Sequence, residues 1–167
     1  SNVNLGVRHL LPMDALLAVG VATQFHAQPR ALRVAAWVLC IWLAAVAVWT
    51  HPFYIEYFNE FAGGPSQGHK YLVDANLDWG QDVKRLRRYL DERGLQHIYL
   101  QYEGVPGAID YYKIPYTSVS AEQAREIRQG VLVISATSLM RPEWSWLRQQ
   151  SQPIQRVAFT LFVYKLG

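Results

Sequence analysis

Residues 31–50, ALRVAAWVLCIWLAAVAVWT, carry one formal charge, Arg33, in a run of twenty. A helix of that length rises ~30 Å at ~1.5 Å per residue, the thickness of a hydrocarbon core. The domain that follows is too small to wrap such a rod, so the run predicts a transmembrane helix. Trp49, at one end, falls where an indole favours the headgroup level. A second apolar run, residues 10–25, has Pro12 and Asp14 near its start. It is short for a span, but it predicts a second membrane helix when packed against other helices of a larger protein.

Up to Thr50 the charged side chains are Arg8, Asp14, Arg30 and Arg33. The remaining 13 of 16 Lys and Arg and 12 of 13 Asp and Glu lie beyond, leaving the second part nearly neutral. A neutral domain lacks the basic face that nucleic acid requires, so nucleic acid is excluded as a partner. The polar turn HAQPR at 26–30, with Arg30 and Arg33, predicts a cytoplasmic loop by the positive-inside rule. Both flanks, including everything after Thr50, are then extracytoplasmic. Cys40 sits inside the apolar run and, as the sole cysteine, forms no internal disulfide. Ser1 is followed by no signal-peptide pattern, and without an initiator Met the chain reads as a piece of something longer.

Residues 51–66 hold Phe53, Tyr54, Tyr57, Phe58 and Phe61 at the spacing of one helical face. Pro52 can open a helix there, and Gly63-Gly64-Pro65 stops it. Glu56, Asn59 and Glu60 would point elsewhere. The aromatic face suits the plane of a membrane interface, or packing beneath the domain that follows. From 67 to 167 the pattern is that of a small α/β domain. A strand is expected at 71–74, a helix from Asp78 to Gly94, and a strand at 98–102. A Pro/Gly/Tyr-rich excursion follows at 105–116, then a helix opened by Ser120 with Gln123. VLVIS at 131–135 is the most apolar strand, a helix falls around 142–150, and RVAFTLFVYKL at 156–166 gives one or two last strands. The expected fold is two transmembrane helices followed by a small α/β domain with a mostly parallel sheet of three to five strands.

The chemistry is concentrated in Asp74, Asn76, Asp78 and Asp82, around Trp79. The D-x-N-x-D-x-G start resembles a calcium loop, but the sixth and twelfth positions of an EF-hand, Gly and Glu, are here Trp79 and Arg85. No metal site is assigned. A phosphate site is disfavoured because the carboxylates repel anions and there is no glycine-rich nest. Two readings stand. The carboxylates, amide and indole bind sugar hydroxyls, or the loop is structural: Asp78 caps a helix with Gln81 three residues on, and Asp82 complements its dipole. Arg8 and His9, before the first apolar run, sit at the outer surface, where they either meet a lipid phosphate or serve as interfacial anchors. No catalytic constellation and no cofactor motif is present.

Three stretches resemble a known family. NLGVRHLLP at 4–12, HPFYIEYFNEFAGGP at 51–65 and YLVDANLDWGQDVKRL at 71–86 are similar to the C-terminal part of bacterial family 39 glycosyltransferases. These are polytopic membrane enzymes of the GT-C class, related to protein O-mannosyltransferases. FVYKL at 162–166 is similar to the last strand of their small outer domain. Met13-Asp14 departs from the Tyr-Pro-like continuation of the first stretch. The resemblance implies a parent enzyme of the bacterial cytoplasmic membrane that transfers a sugar from a polyprenyl-phosphate donor to an extracytoplasmic acceptor. Its catalytic carboxylate would lie in an earlier outer loop, so no residue here is assigned a catalytic role. Membrane lipid, the lipid-linked donor and the parent's other transmembrane helices are the implied partners. The alternative is a membrane-anchored binding or scaffolding module without enzymatic activity.

Overall fold

In the computed structural model, residues 11–59, 61, 63–71, 77–105 and 107–167 are described. The chain forms two compact units, Ser1–Tyr54 and Ile55–Gly167. Arg8, His9, Asp74 and Asn76, and the strand expected at 71–74 beyond Tyr71, lie outside the described residues.

In the first unit, α1 (Leu11–Gln24) runs into a 3₁₀ turn at Phe25–Ala27, and α2 (Arg30–Thr50) follows Pro29. The Phe25 and Trp37 rings meet edge to face, 6.4 Å apart. Among the described residues α2 alone is long and apolar enough to cross a membrane, with a mean hydropathy of 2.2 and nothing in its apolar window buried. The expectation of two such helices is corrected. α1 has 14 residues, ~21 Å at the helical rise, well short of a hydrocarbon core. The 3₁₀ turn at Phe25–Ala27 ends it.

The second unit is built on a five-stranded sheet ordered β2-β1-β3-β5-β4. Its strands are β1 (Ile98–Gln101), β2 (Tyr116–Ser118), β3 (Gly130–Ser135), β4 (Gln155–Val157) and β5 (Leu161–Leu166). β1 pairs in parallel with β2 and β3, whereas β5 is antiparallel to both β3 and β4. The sheet is therefore mixed, not mostly parallel. A three-residue turn joins β4 to β5, and so short a link serves only antiparallel neighbours. β4 runs in the direction of β1–β3, and its hairpin return, β5, is inserted between β3 and β4.

Both faces of the sheet are covered. On one, Leu132, Ile134, Phe162 and Tyr164 pack with Ala124 of α5 (Ala121–Glu126), Leu139 of α6 (Ala136–Met140) and Leu147 of α7 (Ser145–Gln150). On the other, Ile98, Leu100, Val133 and Val163 pack with α3 (Val83–Arg93) and with Ile109 of α4 (Ala108–Tyr111). The alternation along β3 and β5 follows from the strand period of two. Helix α3 buries Val83, Leu86, Tyr89 and Leu90 at helical spacing and ends at Gly94, whose φ of 64° is the left-handed C-cap geometry. Ser120 and Gln123 form the expected capping box of α5.

The aromatic helix expected after Pro52 is absent over residues 53–59. Here burial alternates: Glu56 and Phe58 turn inward, while Ile55, Tyr57 and Asn59 face out. A helix would place Glu56 opposite the aromatic face, but its carboxyl is held inside by Gln81. Phe58 lies over Gly68, where even a Cβ would come within 2.3 Å of the ring.

Candidate functional site

The loop 77–82 lies at the edge of the sheet where β1 and β3 end. Asp78 does not cap α3. Its Oδ1 accepts from the Gly80 amide at 2.7 Å, closing a turn that needs Gly80 at a φ of 84°. A Cβ on Gly80 would also press on Ala108 at 3.2 Å. Gln81, expected to complete a capping box, accepts instead from the Trp79 amide at 2.7 Å. Its Nε2 donates to Glu56 Oε1 and to the Leu77 carbonyl, each at 2.9 Å. The helix begins only at Val83, because the turn uses up the residues that would have formed its first one.

Asp82, at the N-cap position of α3, is 1% exposed, and its side chain makes no capping bond. Oδ1 accepts from Arg85 Nη1 at 2.6 Å. Oδ2 accepts from the Thr160 hydroxyl at 2.7 Å and the Thr160 amide at 3.3 Å. Thr160 belongs to the β4–β5 turn, and its carbonyl accepts from the Ala136 amide at 2.7 Å. One carboxylate therefore ties α3 to the place where β5 starts and β3 stops. Trp79, the remaining predicted site residue within the described chain, is 51% exposed on the outside of the turn.

The loop thus brings Asp78 and Asp82 together with three residues that sequence reasoning did not assign to the site, Glu56, Tyr102 and Thr160. Glu56 is 0% exposed. Burial, and next the negative charge of Asp82, raise its pKa from 4.5 to about 7, although the Gln81 hydrogen bond pulls the other way. Among the described residues its Oε2 has no hydrogen-bond partner. The nearby Asp82 carboxylate, itself buried, disfavours a charge on Glu56 further. Burial also raises Asp78, against the pull of the Gly80 amide. Tyr102 donates to Asp78 at 3.3 Å, and burial together with that carboxylate holds its phenol protonated far above neutrality.

The arrangement ties three segments together, and Glu56 lies wholly enclosed within it. Among the described residues no three His, Cys, Asp or Glu side chains are grouped to hold a metal ion. No family model, curated protein or solved structure matches the chain. One signal in the sequence pointed to Glu56: an acid set two residues from Phe58 inside an aromatic run, the period of an extended segment rather than of a helix.

Proposed function

We propose that this chain is the C-terminal, non-catalytic part of an integral membrane glycosyltransferase of family 39 in the GT-C class. The parent enzyme takes a sugar from a polyprenyl-phosphate donor and passes it to an acceptor outside the bacterial cytoplasmic membrane. The observation that carries the reading is the joint use of two of the stretches on which the resemblance rests. Glu56 comes from HPFYIEYFNEFAGGP, whereas Asp78, Gly80, Gln81, Asp82 and Arg85 come from YLVDANLDWGQDVKRL. The Gln81–Glu56 hydrogen bond joins them. Two motifs five residues apart in sequence that build one buried network are expected to travel together, as they do in that family.

α2 supports the membrane setting, since nothing in its apolar window is buried. A helix of that kind needs lipid or other apolar helices around it. The second reading, a membrane-anchored binding module, is favoured by a polar cavity at the ends of β1 and β2. The coding sequence upstream of Ser1 decides between them. Further apolar segments and an outer-loop carboxylate are expected for the enzyme, and a start codon next to Ser1 ends that reading. Orientation is tested by fusing alkaline phosphatase and, separately, green fluorescent protein after Gly167. Phosphatase activity without fluorescence is expected, and the opposite result inverts the topology.

A further inference from the structure

Beside the carboxyl network lies a cavity of about 270 Å³, at the carboxyl ends of the parallel strands β1 and β2. This is the edge of an α/β sheet where ligands characteristically bind, because the loops leaving the strands open a crevice there. Leu100 and Ser118 face each other in register, and Tyr116 lies two residues back on the same face of β2. Thr117, on the opposite face, is bonded to His97 at 2.8 Å. All three residues of β2 are exposed, so this wall is reachable from solvent.

The chemistry of the lining selects a class of ligand. Among the described lining residues Asp110 is the one formal charge, and none is cationic. An anion such as phosphate would meet repulsion and no counter-charge. A metal ion needs several hard donors, and no such group occurs among the described residues. What remains is one carboxylate acceptor, hydroxyls on Tyr116 and Ser118 that both donate and accept, and apolar Leu100 and Ile109. That set matches a neutral ring bearing hydroxyl groups on one side and C–H surface on the other. The volume falls just below the ~300–1,000 Å³ of pockets for drug-sized ligands, which suits a single ring.

The walls are fixed before any ligand arrives. The Tyr102 ring is pinned by its bond to Asp78, and Gly104 packs so closely on that ring that a Cβ there would overlap it. Gly107, at a φ of 83°, turns the chain into α4, which carries Asp110. A preformed wall spares the ordering cost of binding.

We propose that this cavity binds a monosaccharide unit, with Asp110, Tyr116 and Ser118 contacting its hydroxyls. The proposal concerns the Ile55–Gly167 unit only and stands or falls independently of the transferase reading, which is decided by the upstream sequence. The test uses the full chain in lauryldimethylamine oxide, a detergent without sugar, and saturation-transfer NMR with the methyl glycosides of glucose, galactose and mannose. At least one is expected to show transfer with a Kd in the millimolar range, ~4 kcal/mol of binding. Asp110→Ala and Ser118→Ala are each expected to weaken it about tenfold, with near-UV circular dichroism unchanged, because both residues are exposed. Should one variant lose its fold, the other decides. No transfer from any of the three glycosides, or transfer that the folded variants leave unchanged, overturns the proposal.

Discussion

Replacing Glu56 with Gln should stabilise the Ile55–Gly167 unit, and only at high pH. Glu56 is fully enclosed, and its carboxyl is raised from 4.5 to about 7, first by burial and then by Asp82. At about 1.4 kcal/mol per tenfold change in proton affinity, charging it inside the fold is worth on the order of 3 kcal/mol. A raised acid contributes stability that is complete below 4.5 and is lost as pH rises through about 7. Gln keeps an acceptor for Gln81 but cannot ionise. Glu56→Gln should therefore match the wild type near pH 4.5 and exceed it by about 2–3 kcal/mol at pH 8. His69 complicates the wild-type curve in the opposite sense. Burial, with Arg156 and Lys70 nearby, lowers its pKa from 6.5 to about 4, so its contribution is lost as pH falls through that window. The two slopes oppose each other between 4.5 and 6.5, and Glu56→Gln should uncover the His69 slope. Urea unfolding of the full chain, followed by near-UV circular dichroism across that range, reads both. A variant less stable than the wild type at pH 8, or a difference that does not change with pH, refutes the reasoning.

Asp82→Ala should destabilise the unit by about 3 kcal/mol in the same urea assay, since it strands the buried Thr160 hydroxyl and amide and removes the Asp82–Arg85 ion pair. A loss below about 1 kcal/mol would mean that the tie between α3 and the β4–β5 turn carries little. Trp79→Ala should cost less than about 1 kcal/mol, because half of the indole is already in solvent, instead of the ~3–5 kcal/mol of a core aromatic. A melting-temperature drop as large as that of Asp82→Ala would contradict this.

What the sequence disclosed follows from how local each signal is. The buried face of α3, its Gly94 stop, the Ser120–Gln123 capping box and the apolar β3 are all set within a few residues, and all were legible. Helix α4 and strand β2 were hidden in a Pro/Gly/Tyr-rich stretch, and β2 is exposed throughout, so it shows no alternation. The β4–β5 turn was hidden for another reason. It is built from Ala158, Phe159 and Thr160, with Ala158 at a φ of 54°, and carries none of the Gly, Asn or Pro that mark a hairpin. The site was half visible. Asp78, Trp79 and Asp82 stood out as a group, but Asp78 was placed on the wrong element because nothing local shows that Gly80 breaks the helix start. Glu56 and Thr160 join that group only through tertiary contacts across 25 and 78 residues of chain, which no window of sequence spans.

The insertion of β5 between β3 and β4 governs when this unit can exist at all. β3 shares six residue pairs with β5 and none with β4, and β4 pairs only with β5. Until the final strand arrives, β4 has no strand to pair with, and both sheet faces lack Phe162 and Val163. Assembly must therefore follow delivery of the whole stretch through Leu166 rather than proceed along the emerging chain. Any machinery that moves this segment through a membrane handles an unfolded polypeptide to its last residues. If the unit lies outside the membrane, as the proposed function requires, it folds only after crossing, and the closing strand then opposes its return.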